Sequence, residues 1–274
     1  MYIKPKKSLG QNFIFDKNIQ KKIVLASGLD RNDIVLEIGA GFGDLTKEIA
    51  LSVKKVYALE IDQRLFEGLE KNLNCKSNCE IIKKDILEFD LDKFLAKYKI
   101  KQKIKVIGNI PYYISSPIIE HLIKYHQKIT AVYLTVQKEF GRRVCAGFGS
   151  KEYGSFSCFV QYYAHCKIIF EIKKGSFRPA PKVDSCFLSL KFRDHPVVKV
   201  NDEERLFGLI RTAFNQRRKT LKNSLLTFIS KDRLEEILCS LNIDINTRPE
   251  DLSLEQFAQL SNSLDSALKI QKIA

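Results

Sequence analysis

The segment "DIVLEIGAGFGDLTKEIALSV", residues 33–53, constrains the fold more than any other part of the chain. It starts as a short β-branched run, breaks on three glycines, and resumes at Asp44 with apolar residues at helical spacing and an Asp suited to capping. A strand that turns on glycines into a helix is half of a β-α unit, and such units assemble as a parallel sheet with helices on both faces. The pattern repeats. "KVYALEID" (55–62) reads as a second strand and "QRLFEGLEKNL" (63–73) as a second helix, while "CEIIKKD" (79–85), "KIKVIGN" (103–109) and "AVYLTVQ" (131–137) add strands with helical stretches around them. This is an α/β chain with a mostly parallel, doubly wound, Rossmann-like sheet. "KIIFEIK" (167–173) and "SCFLSLKF" (185–192) are separated by "GSFRPAPKVD" and no helix, which predicts an antiparallel hairpin at the sheet edge.

Past "RDHPVVKVND" (193–202) the pattern becomes wholly helical, through "EERLFGLIRTAFNQ", "KTLKNSLLTFI", "KDRLEEILCSL" and "SLEQFAQLSNSLDSAL". Thr220, Ser230 and Ser253 stand where the last three need caps. The expected division is therefore a domain over residues 1–195 and a small all-helical domain over 196–274, a partition that 274 residues allow.

The formal charge of +14 asks for a polyanionic partner, nucleic acid before an anionic membrane surface. Seven cysteines form no CxxC, and the four histidines complete no zinc pattern, so no metal is expected. Cys158 and Cys186 sit in apolar contexts that suit small core residues. The first residues lack the apolar core of a signal peptide, and no run approaches the roughly 20 apolar residues that span a bilayer. The expectation is a reduced, cytoplasmic protein without a membrane segment.

"EIGAGFGDL" (37–45) places Gly39, Gly41 and Gly43 where a doubly wound sheet binds nucleotide-like ligands. The spacing is GxGxG, against the GxGxxG of pyrophosphate-bearing dinucleotides, which disfavours a dinucleotide-dependent oxidoreductase. Glu60 ends the next strand, where a carboxylate can accept hydrogen bonds from vicinal ribose hydroxyls, and Asp85 ends the third, within reach of an adenine amino group. Adenosine without a pyrophosphate points to S-adenosylmethionine.

The fourth strand runs into "GNIPYYISSP" (108–117). An exocyclic aromatic amine is a poor nucleophile because its lone pair is delocalised into the ring. The Asn109 side-chain oxygen and the Ile110 carbonyl can grip its two N–H groups, Pro111 fixes the backbone, and Tyr112 offers a face for the base to stack on. Tyr113 reads as packing.

With "KKSLGQNFIFD", "VQKEFGRRV", "YGSFSCFVQYY", "FRPAPKVDS" and "FNQRRKTLKNSL" added to these segments, the chain resembles the bacterial rRNA adenine N6,N6-dimethyltransferase family over almost its whole length. The resemblance implies a class I S-adenosylmethionine-dependent methyltransferase domain that dimethylates two adjacent adenines in the 3′-terminal hairpin of 16S rRNA. It implies action on an assembling small ribosomal subunit, by a chain read here as a monomer. It implies cofactor contacts from Asn12, Ile14, Gly39, Glu60, Asp85 and Asn109, an adenine grip from Asn109, Ile110 and Tyr112, and Phe177 opposite the base. The family commonly has Asn where Tyr113 stands. Arg142, Arg143, Arg217, Arg218, Lys219 and Lys222 are the expected RNA-binding residues, with Leu221, Leu225 and Ile229 on the apolar face of the last of these segments. Two alternatives remain at this point: a relative that methylates a large-subunit adenine, and a non-catalytic assembly factor that keeps the fold. An added role as an assembly checkpoint is compatible with the main reading.

Overall fold

The computed structural model describes residue 6 and residues 9–74, 77–215, 219–226 and 229–271, with side chains described to 264. The elements run β1 (Phe13–Ile14), α1 (Lys17–Ala26), β2 (Ile34–Ile38), α2 (Asp44–Ala50), β3 (Lys55–Glu60), α3 (Phe66–Leu73), β4 (Cys79–Lys83), α4 (Leu91–Lys97), β5 (Ile104–Asn109), α5 (Ser115–Ile123), β6 (Ile129–Gln137) and α6 (Lys138–Cys145). They continue as α7 (Ser155–Tyr163), β7 (Ala164–Ile172), β8 (Phe177–Arg178), β9 (Ser185–Phe192), α8 (Glu203–Asn215), α9 (Leu221–Leu225), α10 (Lys231–Ser240) and α11 (Leu254–Gln271).

Seven strands form one sheet in the order β4-β3-β2-β5-β6-β9-β7. The pairs among β2, β3, β4, β5 and β6 are parallel, and β9 runs antiparallel to β6. Strands covered on both faces need apolar side chains on both, and β2 is buried at all five positions. Strand order reverses between β3 and β5, on either side of β2, so the carboxyl ends of these strands open a crevice.

Compactness divides the chain into one unit of Met1–Gly141 with His165–Asp194 and another of Arg142–Ala164 with His195–Ala274. The segment Arg142–Ala164, which the sequence pattern groups with the first domain, thus belongs with the helical unit. The reason is local: Cys158 and Tyr162 of α7 are buried in one cluster with Leu206, Phe207 and Ile210 of α8. Leu221 and Leu225 are buried in the same cluster, with Ile229 packed against it.

Two local expectations change. Asp44 does not cap α2; Gly43 is the cap, in the left-handed region at φ +83°, and Asp44 is the first helical residue. The "GSFRPAPKVD" stretch is more than a hairpin connection. β7 and β9 are neighbours at the sheet edge, yet Phe177 and Arg178 between them pair antiparallel with Ile14 and Phe13. Ser253 behaves as read: its Oγ accepts from the Gln256 N–H at 3.2 Å and its own N–H donates to Gln256 Oε1 at 3.0 Å.

Candidate active site

Parallel registry brings the critical strand ends to one edge. Ile38 is level with Leu59 of β3 and with Gly108 of β5, and Glu60 is level with Lys83 of β4. A cavity of about 180 Å³ opens there, lined among others by Asn12, Gly39, Glu60, Asp85, Asn109, Ile110 and Pro111. Of the residues singled out in the sequence, this cavity brings Asn12, Gly39, Glu60, Asp85, Asn109, Ile110 and Pro111 together, and Gly41 lies in the glycine turn bonded to Glu60.

The turn is shaped by hydrogen bonds to the neighbouring strand. The Gly39 N–H donates to the Leu59 carbonyl at 2.9 Å, and the Gly41 N–H donates to Glu60 Oε2 at 2.8 Å. Gly41 has φ +60°, and a Cβ there would lie 3.0 Å from the Phe13 ring, so this position needs glycine on both counts. Glu60 Oε1 accepts from the Ile61 and Asp62 N–H groups at 2.9 and 2.8 Å. Three backbone donors therefore fix a carboxylate that is only 5 % exposed, and Oε2, with one donor, keeps the more open accepting position. Burial raises the Glu60 pKa, and the three backbone hydrogen bonds oppose that rise. Asp85 caps the turn at Ile86–Glu88 by accepting from the Leu87 N–H at 2.9 Å.

Asn109 ends β5 with its amide oriented: Nδ2 donates to the Asn12 carbonyl at 2.7 Å. Its Oδ1 is then the group left to meet a donor. Pro111 sits at φ −61° ahead of a single 3-10 turn at Tyr112–Ile114. The Tyr112 hydroxyl shares a 2.6 Å hydrogen bond with Ser185 Oγ, and burial raises the Tyr112 pKa. Tyr112 does not line the large cavity; Tyr113 does, 63 % exposed, with Gly10 against its ring.

Ile14 is buried and lines a second, smaller cavity of about 30 Å³ together with Phe13, Glu37, Gly39 and Asn109. Phe177 lies elsewhere: it is 2 % exposed in the core beside Ile14 and Ile172, and its ring lines neither cavity. Arg142 and Arg143 are exposed on α6, and Lys219 is exposed. Arg217 and Arg218 lie outside the described residues. Lys222 is not an unencumbered cation, because its Nζ lies 3.0 Å from Glu235 Oε1. Gln11, Asp62 and Ser185 are not singled out as site residues by the sequence although their segments are; their pairings, Gln11 with Asp62 and Ser185 with Tyr112, span 51 and 73 residues and leave no local pattern to read. Among the described residues no group of three His, Cys, Asp or Glu is placed to hold a metal ion, and no helix is long and apolar enough to cross a membrane.

The family model described as ribosomal RNA adenine dimethylase matches residues 3–266. The chain is 45 % identical over 270 residues, 97 % of its length and 100 % of the relative's, to "Ribosomal RNA small subunit methyltransferase A" of Caldanaerobacter subterraneus subsp. tengcongensis. It is 40 % identical to the protein of that name in Oceanobacillus iheyensis, over 94 % of this chain and 90 % of the relative. Among solved structures, a dimethyladenosine transferase from Plasmodium falciparum superposes with TM-score 0.77 at 25 % identity, covering 95 % of this chain and 98 % of that one. The 23S rRNA methyltransferase ErmE gives TM-score 0.74 at 25 % identity, covering 93 % of this chain and 100 % of that one. A sheet that reverses beside β2, a glycine turn bonded to a buried acid, and an Asn-x-Pro-Tyr strand end are thus found in a chain matched nearly end to end: it belongs to the ribosomal RNA adenine dimethylase family.

Proposed function

We propose that this chain transfers methyl groups from S-adenosylmethionine to the N6 amino groups of two adjacent adenines in the 3′-terminal hairpin of 16S rRNA. It acts on the assembling small subunit, in the cytoplasm and as a monomer. The observation that carries the reading is the oriented Asn109 amide, with Nδ2 on the Asn12 carbonyl and Oδ1 left as acceptor, in the cavity that also holds Glu60 and Asp85.

The residues present fit the cofactor. Glu60 offers an immobilised acceptor for a ribose hydroxyl and Asp85 one for an adenine amino group. Ile61 and Ile86, each next to one of these acids, supply apolar wall. Glu37 lines the smaller cavity with a buried Oε2 that has no hydrogen-bond partner among the described residues, a place for a polar group of the amino-acid moiety. When bound, the cofactor supplies an electrophilic methyl group on a sulfonium.

The chain's own part is to make an aromatic amine reactive and to hold it. Asn109 Oδ1 and the Ile110 carbonyl accept the two N–H groups, which favours a pyramidal nitrogen whose lone pair is no longer delocalised into the ring. Tyr112 stacks on the base, worth about 1–3 kcal/mol, and so offsets its removal from the RNA stack. Its hydroxyl bond to Ser185 holds the ring in place. The nitrogen loses its proton as or after it gains the methyl group, so the grip needs no side chain tuned as a general base. Arg142, Arg143, Arg217, Arg218 and Lys219 supply phosphate contacts, and Lys222, already paired with Glu235, supplies less.

The test is transfer of label from S-adenosylmethionine to small subunits from a strain lacking the modification. Label in 16S rRNA is the expected result. Label in large-subunit rRNA would favour the relative that methylates that site, and subunit binding with no label would favour a non-catalytic assembly factor. The 45 % identity to a small-subunit enzyme, against 25 % to ErmE, supports the first.

A further inference from the structure

We propose that Gln11 and Asp62 are positioning residues, forming a latch that holds the N-terminal strap so that the Asn12 carbonyl fixes the Asn109 amide; this rests on the methyl-transfer reading above. The tripeptide Gly10-Gln11-Asn12 lines the cavity, and its three consecutive residues reach Tyr113 and Pro111, Asp62, and Asn109 in turn. Gly10, at φ +58°, lies so close to the Tyr113 ring and Pro111 that a Cβ would come within 3.2 and 3.3 Å of them. Gln11 Nε2 donates to Asp62 Oδ2 at 2.8 Å, and Gln11 Oε1 accepts from the Lys6 N–H at 2.8 Å, so its amide is held at both ends. Asn12 accepts from Asn109 Nδ2 at 2.7 Å.

The far side of the latch is rigid. Asp62 is 6 % exposed and follows Glu60 by two residues. It accepts from the Arg64 Nε at 2.9 Å, the Arg64 Nη2 at 2.6 Å and the Arg64 N–H at 3.2 Å. The Arg64 guanidinium holds its carboxyl down at about 2, so an ionised acceptor faces Gln11, and a charge-assisted bond is the stronger kind.

The consequence lies at Asn109. A side-chain amide rotated by half a turn presents N–H groups in place of oxygen, and a donor facing an adenine amino group repels it. The Asn12 carbonyl selects the productive rotamer, and Asn12 can do so only while the strap is seated. Displacement of a positioning group by about 1 Å is enough to cost a large factor in rate.

Four variants test this: Gln11→Ala, Gln11→Glu, Asp62→Asn and the double Gln11→Glu/Asp62→Asn. At saturating cofactor and subunits, kcat should fall about tenfold or more in each single variant. The double variant should recover most of the loss, because the introduced carboxylate accepts from the introduced amide; a residue needed only for folding would show no such rescue. Full kcat in all three single variants, or a double variant no better than the worse single one, overturns the latch. A readout independent of turnover is the Asn109 side-chain amide signal in NMR. Its protons should exchange with solvent faster in Gln11→Ala than in the wild type, and an unchanged rate also overturns the latch. Absence of methylation by the wild type, with that signal behaving as expected, would count against the methyl-transfer reading alone.

Discussion

Glu37, the penultimate residue of β2, has 1 % of its surface exposed. Burial pushes its carboxyl up to about 8, with Glu60 and Asp44 adding in the same direction. The folded chain therefore keeps a proton that the unfolded chain releases at ordinary carboxylate pH. This contribution to stability is fully present below about 4.5 and is lost as pH rises through about 8. Glu37→Gln removes the titration, so the variant should gain on the wild type steadily across that window, as read from urea midpoints. Curves that stay parallel would show that Glu37 is ionised throughout. Asn109→Ala, by contrast, should abolish methyl transfer while subunit binding is kept, measured by filter binding beside label incorporation. Equal loss of both would make Asn109 a structural residue.

Elements decide what was legible beforehand. Gly39, Glu60, Asp85 and Asn109 are readable because parallel strands deliver their carboxyl ends to one edge, so a position at a strand end is already a position at the site. The β1–β8 pair was not readable. It consists of two residues on each side with no period to detect, and pairing with β1 is what removes Phe177 from the surface. Asp44 reads as a cap from sequence alone because nothing there reveals that Gly43 adopts positive φ. Packing between elements is equally hidden, and α6 against β9 is the sharpest case. A Cβ on Gly141 would collide with the buried Cys186 Sγ. Gly141→Ala should therefore destabilise the chain by about 1–3 kcal/mol, the usual cost of overpacking. A Gly141→Ala/Cys186→Ala double variant, in which the sulfur is gone, should recover part of this loss in thermal or urea unfolding.

At the scale of the whole molecule the excess of 14 positive charges sets how strongly binding responds to salt, and the described ion pairs sort which cations contribute. Each phosphate neutralised releases condensed counterions, so the logarithm of affinity falls with the logarithm of salt by about 0.7 to 0.9 per contact. Lys222 is held by Glu235 at 3.0 Å on the helical unit, and binding a phosphate would first have to displace that carboxylate. Lys219 is exposed, and Arg217 and Arg218 are its neighbours in the chain. Replacing Arg217, Arg218 and Lys219 together by Ala should flatten the salt dependence of subunit binding by about two units of slope. Replacing Lys222 alone should leave the slope nearly unchanged, since an ion paired within the fold neutralises no phosphate and so releases none of the RNA's condensed counterions. Binding isotherms at several salt concentrations separate the two. A slope that drops as much for Lys222→Ala as expected for a full phosphate contact would mean that Glu235 gives way to RNA, whereas an unchanged slope in the triple variant would remove these three residues from the interface.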